Sequence, residues 1–140
     1  MIMIRALLGD ELWTQGLREY LRGQIYGTAT WDQILSYWDA VADGLADLDG
    51  MTVTEVMEPY FRQMGYPVLK ITMEDNTGGE GKKLTITTNR FLSAGNDKLV
   101  PPSSYGYKWH VPLVLMEGGQ RRIHWLRNAG ETTETYEVEL

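Results

Sequence analysis

Apolar residues recur every three or four positions through residues 1–66 and alternate or run in short blocks through residues 67–140, a pattern that predicts helices followed by strands. The period changes within Tyr60 Phe61 Arg62 Gln63 Met64 Gly65 Tyr66 Pro67 Val68. Gly65 can take the left-handed conformation that closes a helix. Pro67 prevents the helix from resuming and biases Tyr66 toward extended geometry. This stretch is expected to be a structural joint without chemistry of its own.

Ahead of the joint, Ile2, Ile4, Leu7 and Leu8 form an apolar segment ended by Gly9, expected to be a truncated helix because it begins without a polar lead-in or cap. Asp10 is a candidate cap for the next helix, with Glu11 in its first turn and Leu12, Trp13, Leu17, Tyr20 and Leu21 as the buried stripe. Thr30 and Gln33 fit a capping box. From Trp31 through Ile34, Leu35, Trp38, Val41, Ala42 and Leu45 the helical period holds for about four turns, with Asp43, Asp47 and Asp49 as a wet edge. A second box, Thr52 with Glu55, opens a helix burying Val53, Val56, Met57, Tyr60, Phe61 and Met64. Pro59 inside that pattern predicts a kink or a 3₁₀ start.

Beyond the joint, Val68–Met73 and Leu84–Phe91 read as strands joined by a flexible turn over Thr77 Gly78 Gly79 Glu80 Gly81, which predicts an antiparallel hairpin. Ser93–Ser104, with Pro101 and Pro102, reads as an exposed excursion. Trp109–Met116 and Arg121–Leu126 flank a Gly118–Gly119 turn, and Tyr136–Leu140 is a candidate fifth strand.

A chain of 140 residues with 43% hydrophobic content suffices for one ordinary domain or two small layers sharing a core. Its formal charge of −6 is concentrated in residues 1–66, where four arginines face ten acids; residues 67–140 are balanced. That distribution argues against nucleic acid as a partner, since a clustered basic face is lacking. Lys82 Lys83 and Arg121 Arg122 read as solvated loop edges. No apolar run approaches a membrane span. Without cysteine there is neither a disulfide framework nor a thiolate site. No Asn-x-Ser/Thr acceptor occurs, which slightly favours a cytoplasmic chain over a secreted one.

Candidate chemistry is sparse, and the expectation is that no residue of this chain is catalytic, metal-binding or cofactor-binding. His110 and His124 belong to no His-x-x-x-His pair, and alternation places each on the opposite face from its tryptophan neighbour, so both read as hydrogen-bonded rather than as zinc ligands. Asp10, Glu11 and Asp32 are explained by helix first turns. Glu131, Glu134, Glu137 and Glu139 read as a solvated acidic strand or end. No G-x-S-x-G elbow occurs, and the Thr77–Gly81 glycines precede a strand rather than a helix N-terminus. The alternating Tyr105, Tyr107 and Trp109 form the one plausible exposed aromatic row, a weak basis for carbohydrate or single-stranded nucleic acid binding.

Several segments together resemble the zinc aminopeptidases of the aminopeptidase N and puromycin-sensitive type: Ile4 Arg5 Ala6 Leu7 Leu8 Gly9; Gly16 Leu17 Arg18 Glu19 Tyr20 Leu21 leading to Tyr26 Gly27 Thr28 Ala29 Thr30; Gln63 Met64 Gly65 Tyr66 Pro67 Val68; Asn89 Arg90 Phe91 Leu92; and Trp109 His110 Val111 Pro112 Leu113. The chain departs from that pattern at Gln33 Ile34 Leu35 and between Asn128 and Glu137. The resemblance implies an α+β fold, with N-terminal antiparallel helices (1–66, resembling the end of a thermolysin-like catalytic domain) followed by a small antiparallel β-sandwich (67–140). It also implies a parent that removes N-terminal residues from peptides with zinc, whose ligands and catalytic groups precede Met1. Expected partners are the remaining domains of that parent, and the apolar N-terminal helix would favour self-association. The alternative is a freestanding protein-interaction module derived from a truncated paralogue.

Overall fold

The computed structural model describes residues 2–75, 81–91 and 101–138. N-terminal antiparallel helices are followed by two small antiparallel sheets that form a sandwich-like β region. By contacts the chain divides into two compact units, Met1–Glu58 and Pro59–Leu140.

The helical unit contains α1 (Ile2–Gly23), α2 (Trp31–Val41), a 3₁₀ turn at Ala46–Leu48 and the first residues of α3 (Val53–Arg62). Gly9, at φ 75° and ψ 166°, breaks α1 where the apolar opening segment ends. Asp10 then accepts from Arg5 Nε at 2.6 Å, and that hydrogen bond, with the arginine's charge, holds its carboxyl below the usual range. Both capping boxes form. Gln33 N–H donates to Thr30 Oγ1 at 3.4 Å while Thr30 N–H donates to Gln33 Oε1 at 2.9 Å; the corresponding distances for Thr52 and Glu55 are 3.0 and 2.8 Å. Asp39 of α2 adds a tie to the start of α3, accepting from Thr54 N–H at 2.9 Å and from its hydroxyl at 2.5 Å. A carboxylate suits the unpaired donors of a helix N-terminus.

α1 packs on α2 through Trp13 and Tyr20 of the expected stripe, with Gly16 and Gly23 as the points of closest approach. Trp13 stacks on Trp38 with ring centroids 4.5 Å apart, and Tyr20 meets Tyr37 edge-on at 5.9 Å. Trp38 Nε1 donates to the carbonyl of Trp13 at 3.1 Å, satisfying an indole that is only 1% exposed. A Cβ on Gly16 would lie 2.3 Å from Trp38 Cδ1, and one on Gly23 2.0 Å from the Tyr37 hydroxyl. Two glycines thus belong to the packing face, which rotates Leu21 outward to 59% exposure. Two other expected core residues are exposed: Trp31 opens α2, and Met64 follows the end of α3. The helical period past Val41 does not continue to Leu45; Gly44, at φ 73°, turns the chain and Leu45 precedes the 3₁₀ turn. α3 includes Pro59 within one ten-residue α-helix, with no 3₁₀ start.

In the β unit, the last turn of α3 leads through Gly65, at φ 90°, into β1 (Tyr66–Asp75). The Tyr60 hydroxyl donates to the His110 carbonyl at 2.9 Å, and Gln63 Nε2 donates to the Lys108 carbonyl at 2.8 Å. Gln63 Oε1 accepts from Ser103 Oγ at 2.8 Å. β2 (Lys82–Phe91) lies between β1 and β5 (Thr132–Val138), all antiparallel; β3 (Trp109–Glu117) and β4 (Gln120–Ala129) form the second sheet. Pro67, the second residue of β1, pairs with Arg90, and no other described strand lies on the outer side of β1, which suits a residue without an N–H. The fifth strand begins at Thr132, four residues before the expected start, because Thr132–Thr135 already pair with β2. The expected turn over 77–80, the excursion over 93–100 and the end of the fifth strand at 139–140 lie outside the described residues.

Ile86 of one sheet and Leu113, Leu126 and Ala129 of the other are buried together, with Leu69, Val111, Leu115 and Tyr136 packed against them. Leu126 and Ala129 are three residues apart and in a regular strand would face opposite sides. Register resolves this: Trp109 pairs with Ala129 but Val111 with Leu126, so Arg127 and Asn128 together oppose His110. Asn128, at φ 53°, supplies the left-handed residue of this bulge. Both apolar residues consequently reach 0% exposure.

In an open helix Gly16→Ala would stabilise by up to about 1 kcal/mol. Against Trp38 it should instead destabilise by about 1–3 kcal/mol through overpacking, measured by urea unfolding followed by tryptophan fluorescence. A variant as stable as the parent would contradict this helix contact.

Candidate functional site

The chemistry-bearing side chains of the β unit cluster on β3, β4 and β5, and their geometry follows from strand alternation. Gly118 and Gly119, at φ 54° and 78°, make a two-residue turn in which both positions are left-handed. Glu117 therefore opposes Gln120, and Glu117, Arg122 and His124 share the face that carries Leu113 and Leu126. Glu117 Oε1 lies 2.5 Å from His124 Nε2, and its Oε2 lies 3.5 Å from Arg122 Nε. The Glu117 side chain is 14% exposed. Glu117, Gly118, Gln120, Arg122 and Glu137 line a shallow polar concavity.

Tyr136 of β5 closes this cluster. Its ring meets that of His124 edge-on at 5.7 Å, and its hydroxyl donates to Glu134 Oε2 at 2.5 Å. Burial, and then the hydrogen bond and negative charge of Glu134, push the phenol up to about 12. Burial also raises the Tyr60 phenol. His110 occupies a different setting beside the bulge. Its Nδ1 accepts from the Asn128 N–H at 3.4 Å, which leaves Nε2 to carry the proton of the neutral ring.

The two histidines are thus engaged separately, one by a carboxylate and one by a backbone donor. Among the described residues no group of three or more histidine, aspartate or glutamate side chains is arranged to hold a metal ion. The Glu117–His124 pair resembles the base-and-orienter half of a catalytic relay, but neither a third ligand nor a serine nucleophile accompanies it in the described geometry. The pair ties the turn end of β3 to the middle of β4. Sequence reasoning missed it, although a two-residue Gly-Gly turn combined with period-2 alternation places Glu117, Arg122 and His124 on one face.

The expected aromatic row does not form an exposed platform. Trp109 is 1% exposed, and Tyr105 and Tyr107 lie in a turn rather than a strand. Tyr107, at φ 56°, stacks beneath Arg90, whose guanidinium carbon is 4.0 Å from its ring centroid, and its hydroxyl donates to the Pro101 carbonyl. Alternation fails there because two consecutive left-handed residues, Gly106 and Tyr107, fold the chain back. Of the basic pairs, Lys82 is ion-paired with Asp75 and Arg122 with Glu117.

Comparison with known proteins gives a consistent result over most of the chain. It is 34% identical over 130 residues to aminopeptidase N of Bos taurus, covering 89% of this chain and 12% of that protein. It is 31% identical over 122 residues to glutamyl aminopeptidase of Bitis rhinoceros, covering 86% of the chain and 11% of the relative. The chain is homologous to the aminopeptidase N and A family. Puromycin-sensitive aminopeptidase of Caenorhabditis elegans matches at 31% identity over 116 residues, 83% of the chain and 11% of that protein. No family model matches the chain. The chain therefore spans 11–12% of the length of these aminopeptidase relatives.

The neutral phenol of Tyr136 contributes to stability fully below its ordinary value near 10, and this contribution is lost as pH rises from there toward about 12. Stability should fall over that window, and Tyr136→Phe should flatten the fall. Urea midpoints taken below and above the window measure it; identical pH dependence in the two proteins would refute the assignment.

Proposed function

We propose that this chain is a noncatalytic supporting segment of a zinc-dependent aminopeptidase whose parent removes N-terminal residues from peptides. Homology carries the reading: up to 89% of the chain aligns with 11–13% of each relative, proteins named for aminopeptidase activity. The segment's partners in this reading are the remaining domains of the parent. Its helical residues correspond to the end of the catalytic domain and its strands to the small β-sandwich, the zinc and its ligands lying in the rest of the enzyme.

The internal chemistry supports a mechanical role. Tyr60 and Gln63 are committed to backbone carbonyls, Asp39 to the donors at the start of α3, and Glu117 to a partly buried contact with His124. Each such commitment orders the chain and contributes roughly 0.5–1.5 kcal/mol. No helix is long and apolar enough to cross a membrane among the described residues.

Purified chain incubated with zinc and a series of aminoacyl anilides should show no release above buffer. Turnover that survives repurification and is abolished by His124→Ala would overturn the noncatalytic reading.

A further inference from the structure

Natural sheets prevent edge-to-edge association with short edge strands, bulges, proline and inserted charges. β1 has little of this protection. It runs for ten residues, pairs with β2 without a register shift, and has no other described strand on its outer side. Pro67 guards only its second position, so every residue from Val68 onward retains its N–H. Ile71 and Met73 are 46% and 55% exposed although they oppose Ile86 and Leu84, two buried residues of β2. One lysine, Lys70, interrupts the middle of the edge.

A second copy of the strand removes that obstacle. When two β1 strands pair antiparallel so that the sheet continues with the same face inward, the two-fold axis must pass through a residue position. Centring it on Lys70 sets two ammonium groups opposite each other. Centring it on Ile71 leaves Lys70 facing Thr72, and centring it on Met73 sets Ile71 against Asp75. Centring it on Thr72 matches both properties: Lys70 opposes Glu74 and Ile71 opposes Met73, twice each by symmetry. Opposite charges directly across an antiparallel pair attract, and like charges repel.

We propose that β1 is a self-association edge through which two copies of this chain pair about a two-fold axis at Thr72, joining their three-stranded sheets into one. The two Lys70–Glu74 pairs select the register, and the two Ile71–Met73 contacts cover apolar surface that each copy exposes alone. This inference concerns the chain itself and does not rest on the parent's activity.

Sedimentation velocity on the full chain should show a dimer that dissociates on dilution. Lys70→Glu and Glu74→Lys should each weaken it by roughly tenfold or more, and the double variant should restore it, since the charges are then exchanged across the same pairs. Because the chain has no cysteine, Thr72→Cys offers a positional readout that needs no change in affinity: mild oxidation should link two copies, whereas Thr85→Cys on β2 should not link. A chain monomeric at high concentration, a dimer indifferent to both single variants, a double variant no better than the singles, or equal cross-linking at Thr72 and Thr85 would each overturn the proposal.

Discussion

A single side-chain amide holds the passage from helix to sheet. Gln63 accepts from Ser103 through Oε1 and donates to the Lys108 carbonyl through Nε2, and an amide carries its acceptor and its donors on separate atoms that can reach two partners at once. Tyr60, one turn earlier, ties the same stretch to the His110 carbonyl. These bonds reach 40–50 residues along the chain, so they fix where β3 begins relative to the end of α3. Ser103 in turn accepts from the Tyr105 N–H, which extends the ordering into the turn before β3. Gly65 allows the reversal; Tyr60 and Gln63 determine where it leads.

What was legible in the sequence was what local chemistry dictates. Both capping boxes, the break at Gly9, the left-handed Gly65 and the Gly118–Gly119 turn are each set by a few neighbouring residues, and each is found. On α1, Trp13 and Tyr20 of the expected face meet α2, but Leu21 does not and the closest approach falls on Gly16 and Gly23, because a hydrophobic stripe counts apolar side chains and these two residues have none. The bulge at Arg127–Asn128 was equally hidden. Nothing in a six-residue window distinguishes an asparagine that ends a strand from one that inserts an extra residue into it, and only the partner strand's register does so.

The aromatic row failed for a related reason. Tyr105, Tyr107 and Trp109 alternate in sequence, but alternation implies a shared face only where the backbone is extended. Once Gly106 and Tyr107 adopt positive φ, the tyrosines belong to a turn and the tryptophan to the interior. Arg90 then covers Tyr107, turning a candidate binding surface into a packed cation–π contact.

The titratable residues of the β unit can be understood as devices for register. β3 and β4 are a hairpin, and a hairpin that slips by one residue exchanges its buried and exposed faces. The slip is resisted at both ends. At the turn, Glu117 reaches Arg122 and His124, two residues whose alternation on β4 matches its own position on β3. At the far end, the extra residue at Asn128 lets Leu126 and Ala129 both enter the core, an arrangement that a shifted pairing could not retain. His110 accepts a hydrogen bond from the bulged backbone itself. His110 lies beside the bulge and His124 in the middle of β4, and their separate partners, the Asn128 N–H and the Glu117 carboxylate, commit each ring to holding one part of the hairpin.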